Sequence, residues 1–184
     1  MRKEDNLTPT RRFKSFSEIT PEFLSSEGIK GLLCDIDDTF VPHNYPFPTK
    51  EVLEWAKSLA DAGIRICLIS NNKYKRVRPF AKELRCPFFT TANKPSTKVL
   101  YKALAVLDME KSEVAFLGDQ VYTDIKCGNR FGIPTYKVEP VGNNAPIWVK
   151  IKRKREGKIS AGRSAAKAGR FCSSLPKQRR DDPK

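Results

Sequence analysis

Six polar residues of this sequence could form one chemical site, because they comprise four carboxylates, a hydroxyl and an ammonium. They are Asp35, Asp37, Ser70, Lys94, Asp119 and Asp124. Several carboxylates crowded into a partly buried site repel one another unless a cation holds them together. Oxygen ligands favour a hard ion such as Mg²⁺. The residue types therefore predict a magnesium site that would also offset the repulsion of an incoming phosphate.

The apolar pattern predicts which elements position these residues. Five apolar, mostly β-branched runs are predicted strands, at residues 29–36, 64–69, 87–90, 114–117 and 133–138. Helical spacing fills the connections, at residues 49–63, 73–84, 96–107 and 121–131. Strands and helices that alternate with short connections predict an α/β, three-layer Rossmann-like fold with a central parallel sheet of about five strands.

The polar residues follow the predicted strands. Asp35 ends the first strand, Ser70 follows the second, Lys94 lies shortly after the third, and Asp119 follows the fourth. In parallel sheets of this kind, ligands bind beyond the carboxyl ends of the strands. We therefore expect four strand ends to converge on one crevice.

In this order the residues resemble the four motifs of the haloacid dehalogenase superfamily. D-x-D-x-T occupies residues 35–39, the serine is Ser70, the lysine is Lys94, and G-D-x-x-x-x-D occupies residues 118–124. A narrower resemblance is to the YqeG-like branch of the subfamily IIIA phosphatases, which is similar to the phosphatidylglycerophosphate phosphatases. It rests on residues 19–21, 69–72, 94–95, 118–124 and 128–130.

The resemblance implies a phosphomonoester hydrolase that works through an aspartyl-phosphate intermediate. Asp35 would be the nucleophile. Asp37 would protonate the leaving group and then deprotonate the attacking water. Ser70 and Lys94 would hold the phosphoryl oxygens and stabilise their charge.

The resemblance also implies a magnesium cofactor and further phosphate contacts. The ion would be bound by Asp35, the main-chain carbonyl of Asp37, and Asp119, with Asp124 a ligand directly or through water. The phosphate cradle would also draw on Asn71, backbone N–H groups of residues 36–38, and the motif residues Asp38 and Thr39. Asp38 is better explained as a turn residue than as a third catalytic acid.

Motif spacing limits what can cover the site. About thirty residues separate Thr39 from Ser70, and about two dozen separate Ser70 from Lys94, too few for an inserted cap domain. A capless, open site suits a phosphate on something large. By resemblance we expect phosphatidylglycerophosphate, with phosphoproteins, polynucleotide ends and small phosphometabolites as alternatives. His43, in the loop after the nucleophile, is expected to be an exposed loop residue, with a role as an acid or in substrate contact as the alternative.

The net charge of +14 is concentrated at the ends of the chain. Residues 1–14 have five basic and two acidic residues, and residues 150–184 have thirteen and three. We therefore predict a basic N-terminal arm (1–14), a nearly neutral phosphatase domain (15–149) and a basic, largely disordered C-terminal segment (150–184). The tails leave open a function of another class, that of a nucleic-acid-binding protein.

The cysteines and the apolar runs bear on location. Five widely spaced cysteines, with no C-x-x-C pair, predict reduced buried thiols and a cytoplasmic protein. No run approaches the roughly 18 to 20 apolar residues of a membrane span. Residues 147–149 are followed by a basic run, an aromatic-plus-basic pattern typical of an interfacial segment, with packing of Trp148 onto the core as an equal alternative. Any membrane contact would therefore be peripheral, at an anionic inner surface.

Overall fold

The computed structural model describes residues 7–43 and 45–142, together with the backbone of Phe171–Cys172. The strands of these residues are β1 (Arg11–Phe13), β2 (Gly31–Cys34), β3 (Arg65–Ile69), β4 (Phe88–Phe89), β5 (Val114–Gly118), β6 (Thr135–Val138) and β7 (Phe171–Cys172). They form one sheet in the order β1-β6-β5-β2-β3-β4-β7. The first six strands are parallel, and β7 pairs antiparallel with β4. The predicted α/β fold with a parallel sheet is confirmed.

Helices cover both faces of this sheet. They are α1 (Pro21–Ser26), α2 (Lys50–Asp61), α3 (Tyr74–Leu84), α4 (Lys98–Leu107) and α5 (Lys126–Phe131). Because successive side chains of a strand point to opposite faces, Leu32 packs with apolar residues of α1, α2 and α3, whereas Leu33 packs with those of α4 and α5. The strands are thus buried on both faces, which explains their continuous apolar runs.

Local signals in the sequence fix α2, the helix that follows the loop after β2. Thr49 caps α2, since its side chain accepts a hydrogen bond from the N–H of Val52 at 3.3 Å. Trp55 anchors the helix by donating from Nε1 to the carbonyl of Ile19 at 2.9 Å. Gly63, with φ of 79°, turns the chain back toward β3. This helix begins and ends close to where its sequence pattern predicts.

The connections at the carboxyl edge of the sheet are short. Residues 35–49 join β2 to α2, and α3 alone fills the connection between β3 and β4. Neither connection contains an inserted domain, so the prediction of a capless fold is confirmed. No helix in the described ranges is long and apolar enough to cross a bilayer. The longest, α2, has 12 residues.

The predicted boundary of the N-terminal arm is wrong. Residues 11–13, assigned to the arm, form β1 and pair in parallel with β6. Phe13 packs edge-on against the rings of Phe23 and Tyr136. The error arose because β1 has only three residues, two arginines and one phenylalanine. This composition gives no apolar run that would predict a strand. Apart from β7, the predicted disordered segment 150–184 lies outside the described residues, as does the pattern at 147–149.

The cysteines behave as small buried hydrophobes. Cys34, Cys67, Cys86 and Cys127 are buried free thiols, as predicted. Burial raises the pKa of Cys86 and of Cys127 to about 12. These side chains therefore stay protonated and contribute to packing.

Candidate active site

The carboxyl ends of β2, β3 and β5 and the segment after β4 surround one cleft of about 150 Å³. Its walls, among the described residues, are Asp35, Asp37, His43, Ser70, Asn71, Asn72, Lys94, Gln120, Thr123 and Asp124. The predicted convergence of strand ends on one crevice is therefore observed. It brings together five of the six residues that the motifs identify, and the sixth, Asp119, lies in the carboxylate cluster described below.

Asp35 and Lys94 form the buried ionic centre of the cleft. The Nζ of Lys94 lies 2.6 Å from Oδ1 of Asp35 and 2.7 Å from Oδ1 of Asp124. Burial raises the pKa of Asp35 to about 7, against the opposing effect of the Lys94 ammonium. Burial also disfavours the charge of Lys94, but the carboxylates of Asp124 and Asp35 outweigh it and raise the pKa of this lysine. Lys94 is thus a fixed cation, and Asp35 is the group that gains a proton as the pH falls.

Three buried carboxylates meet beside this centre. Asp35, Asp119 and Asp124 each offer an oxygen, and these oxygens all lie within 4.8 Å of one another. Gly118 makes this approach possible, because a Cβ at its position would lie 2.5 Å from Cβ of Asp124 and 2.7 Å from its Oδ2. An all-oxygen set of this kind fits a hard divalent cation such as Mg²⁺.

A π-helical turn places Asp124. Residues Val121–Ile125 form this turn directly before α5, and π turns often occur at functional sites. The N–H of Gln120 donates to Oδ2 of Asp124 at 3.0 Å, which holds the carboxylate toward Lys94. The predicted helix at 121–131 therefore exists, but its first turn is widened where the acidic motif ends.

The residues after β3 form a second part of the cleft wall. Asn71 uses its amide to hold the backbone of Lys94, accepting from its N–H at 2.7 Å and donating to its carbonyl at 3.3 Å. The hydroxyl oxygen of Ser70 accepts from the N–H of Asn72 at 3.0 Å, which leaves the hydroxyl proton for another acceptor. Asn71 thus positions Lys94, and Ser70 faces the cleft as a donor.

Asp37 also lines the cleft. Its Oδ2 accepts from Nδ2 of Asn72 at 2.6 Å, and its Oδ1 accepts from Arg76. His43 lines the cleft and lies 3.6 Å from Asp37 through Nδ1, yet its side chain is 71% exposed. His43 is therefore both an exposed loop residue and a neighbour of the predicted acid.

The predicted phosphate contacts of Asp38 and Thr39 gain no support from their placement. The N–H of Asp38 already donates to the carbonyl of Val41 at 2.8 Å, and neither side chain lines the cleft. Asp38 has a φ of 61°, a left-handed conformation expected of a turn residue. Thr39 is fully buried. The N–H of Asp38 is thus unsuited to the predicted cradle, because the turn that shapes the loop already uses it.

Sequence reasoning missed several neighbours of these residues in the cleft. Gln120 and Thr123 line the cleft from within the acidic motif, where their positions are variable in the motif pattern. Arg76 was indistinguishable from the other basic residues of its helix. The one available signal was its place in the first turn of α3, the turn closest to the strand ends.

Stability of the metal-free protein should report the buried charge of Asp35. Because its pKa of about 7 lies above the usual 3.8, the stability associated with its protonated form is lost as the pH rises through this interval. Asp35→Asn cannot ionise, so its stability does not fall in this way. We therefore expect its advantage over wild type in free energy of unfolding to grow by about 3 kcal/mol from pH 5 to pH 8. Urea unfolding in chelator across this range measures the gap, and Asp61→Asn, at an exposed site, is the control. A gap that narrows toward pH 8 would contradict the expectation.

The fold and this cleft define a hydrolase of one family. Residues 11–132 match the haloacid dehalogenase-like hydrolases, and the chain belongs to that family. It is similar to the probable phosphatase YqeG of Bacillus subtilis strain 168, with 33% identity over 151 residues that cover 82% of this chain and 88% of that protein. Over 46 residues, 25% of this chain and 18% of the other, it is 48% identical to the acid sugar phosphatase of Staphylococcus epidermidis.

A solved structure shares the fold. The cobalt-bound deoxy-D-mannose-octulosonate 8-phosphate phosphatase YrbI of Haemophilus influenzae superposes with a TM-score of 0.50 at 16% identity, over 75% of this chain and 95% of that one. The predicted family and the resemblance to the YqeG-like proteins are therefore confirmed. The chain is a haloacid-dehalogenase-type phosphatase.

Proposed function

We propose that this phosphatase hydrolyses phosphomonoesters through an aspartyl-phosphate formed on Asp35, with magnesium as cofactor and phosphatidylglycerophosphate as substrate. One observation supports the chemistry above all others. The buried carboxylate of Asp35 opens onto the same cleft as a fixed cation, Lys94, a hydroxyl donor, Ser70, and a second carboxyl group, Asp37. These are the groups that a two-step phosphoryl transfer needs.

In the first step, an oxygen of Asp35 attacks phosphorus as the bond from phosphorus to the leaving oxygen breaks. Asp37, entering this step protonated, gives its proton to that oxygen, and the product leaves as an alcohol. Lys94 and Ser70 donate hydrogen bonds to the non-bridging oxygens, where negative charge is stabilised without reorganisation of water.

In the second step, water attacks the phosphorus of the aspartyl-phosphate. Asp37, now a carboxylate, accepts the proton of that water, and the bond between phosphorus and Asp35 breaks. Inorganic phosphate leaves, and both aspartates return to their starting states. A single residue can serve both steps because each step reverses its protonation.

The metal site of this proposal consists of Asp35, Asp119, Asp124 and the main-chain carbonyl of Asp37. The side chain of Asp37 is turned toward Asn72 and Arg76, so only its carbonyl is assigned to the ion. A bound Mg²⁺ offsets the negative charge that the carboxylates and the phosphoryl group bring together.

The rim of the cleft supports a substrate at a lipid surface. Tyr45, Phe47 and Tyr122, which we call the aromatic rim, are 54–56% exposed and lie on the segments that contribute His43, Gln120 and Thr123 to the cleft. Lys73, at the N-cap of α3, and Lys75, in its first turn, are exposed at the same edge. Exposed aromatic rings favour the membrane interface, and lysines there are attracted to anionic lipid. We therefore place the enzyme peripherally, at the anionic inner face of a membrane.

A substrate panel tests this proposal. We expect kcat/KM for phosphatidylglycerophosphate in mixed micelles to exceed that for glycerol 3-phosphate by about 10²-fold, because binding energy from the remote lipid is used at the reacting centre. Turnover should require Mg²⁺ and stop in chelator. The double variant Tyr45→Ser/Phe47→Ser should lose about tenfold on the lipid and keep its activity on 4-nitrophenyl phosphate.

The control for the rim is Tyr101→Ser, at a tyrosine of α4 that is 59% exposed and does not line the cleft. The panel also includes a phosphopeptide and a 5′-phosphorylated oligonucleotide. Preference for either, or for glycerol 3-phosphate, would overturn the lipid assignment. Turnover that persists without a divalent cation would overturn the metal assignment.

A further inference from the structure

Asp37 is held by an arginine that belongs to none of the motifs. Arg76, in the first turn of α3, donates to Oδ1 of Asp37 from Nε at 3.1 Å and from Nη2 at 2.8 Å. Asn72 donates to the other oxygen, Oδ2, at 2.6 Å. Both carboxyl oxygens of Asp37 thus accept from donors of the β3–α3 connection, which fixes the plane of the carboxyl group.

Arg76 is poorly explained as a stabilising residue. Its side chain is only 17% exposed, and its Nη1 is buried with no hydrogen-bond partner among the described residues. An unpaired buried nitrogen costs free energy, and a desolvated salt bridge is a weak source of stability. The two polar contacts described for its side chain both go to Asp37, so control of that carboxyl group explains the placement better.

We propose that Arg76 is a positioning residue that holds the carboxyl group of Asp37 in the orientation needed for proton transfer to the leaving group. The inference rests on the proposed function, in which Asp37 is the acid and base. An aspartate side chain has several staggered conformations, and Arg76 together with Asn72 selects the one that faces the cleft. Misplacement of a reacting group by about 1 Å can cost about 10²-fold in rate.

Leaving groups separate this role from a structural one. An alkoxide is a poor leaving group, so its departure requires the proton of Asp37 as the bond to phosphorus breaks. A nitrophenolate departs without that proton. A misplaced Asp37 therefore slows the cleavage of alkyl phosphates, whereas general damage to the cleft slows both kinds of substrate equally.

The experiment compares kcat/KM of Arg76→Met on two substrates, the alkyl phosphomonoester that the wild type hydrolyses fastest and 4-nitrophenyl phosphate. For each substrate, kcat/KM reports the steps up to and including loss of the leaving group. We expect a loss of about 10- to 100-fold on the alkyl phosphate and less than about threefold on the aryl phosphate. Arg76→Lys, which keeps the charge but not the paired N–H groups, should recover part of the loss.

The matched control is Arg65→Met, which removes an exposed arginine at the amino end of β3, away from the cleft. If thermal unfolding measurements show that Arg76→Met does not fold, Arg76→Lys and Asn72→Ala give the same comparison, because Asn72 holds the other oxygen of Asp37. Equal losses on both substrates, or no loss on either, would overturn the role of Arg76. Wild-type protein without activity on any phosphomonoester would instead overturn the proposed function, and this inference with it.

Discussion

Asp35→Asn is expected to lose phosphatase turnover by at least about 10⁴-fold, the scale on which enzymes lose activity with their nucleophile. Asparagine keeps the size of the side chain, so the packing of β2 and the contact with Lys94 need not change. Its amide, however, is a far weaker nucleophile than a carboxylate. The loss should appear with alkyl and aryl phosphates alike, since both require attack on phosphorus.

Two measurements test the role of Asp35. Steady-state release of phosphate is compared among wild type, Asp35→Asn and Asp61→Asn, whose substitution lies at an exposed site on α2. Mass spectrometry of acid-quenched wild type should find a phosphoryl group on the peptide that contains Asp35, and none on that peptide of the variant. Full activity in purified Asp35→Asn would rule out the covalent mechanism.

The sequence predicted the central sheet well because burial on both faces leaves a strong local signal. Strands such as β2 and β5 are continuous apolar runs, and the chemistry-bearing residues follow them directly. Parallel pairing then forces those residues to one edge. Hence the sequence alone could place Asp35, Ser70, Lys94 and Asp124 around one cleft.

What the sequence could not predict depends on contacts between distant segments. β1 is defined by its pairing with β6, a distant part of the chain. Thr10 and Thr135, which form a hydrogen bond beside this pairing, are 125 positions apart in the sequence. The three residues of β1 give no apolar run of their own. Arg76 lies 39 positions from Asp37, and only the path of α3 brings them together. A basic residue on a helix has the same local pattern whether it faces solvent or a carboxylate.

Lys94→Met is expected to lower kcat by about 10² to 10³-fold at saturating Mg²⁺. Lys94 is the buried cation closest to the nucleophile, 2.6 Å from Asp35, and donors aimed at developing charge typically contribute on this scale. Methionine has nearly the same length, so the loss reflects the missing ammonium more than a cavity. Lys98→Met, at an exposed position on the same segment, should retain activity.

The same variant should bind Mg²⁺ more tightly while it turns over more slowly. In the metal-free protein, Lys94 is the cation that compensates Asp35 and Asp124. Removing it leaves buried carboxylates without a partner, which typically costs about 3 to 5 kcal/mol and should lower the Tm in chelator by about 10 °C. Because a divalent cation then meets a more negative cluster and no competing ammonium, the rise in Tm on adding Mg²⁺ should be larger than in wild type. A smaller Mg²⁺-dependent rise in the variant would show that Lys94 supports the metal site and does not compete with it.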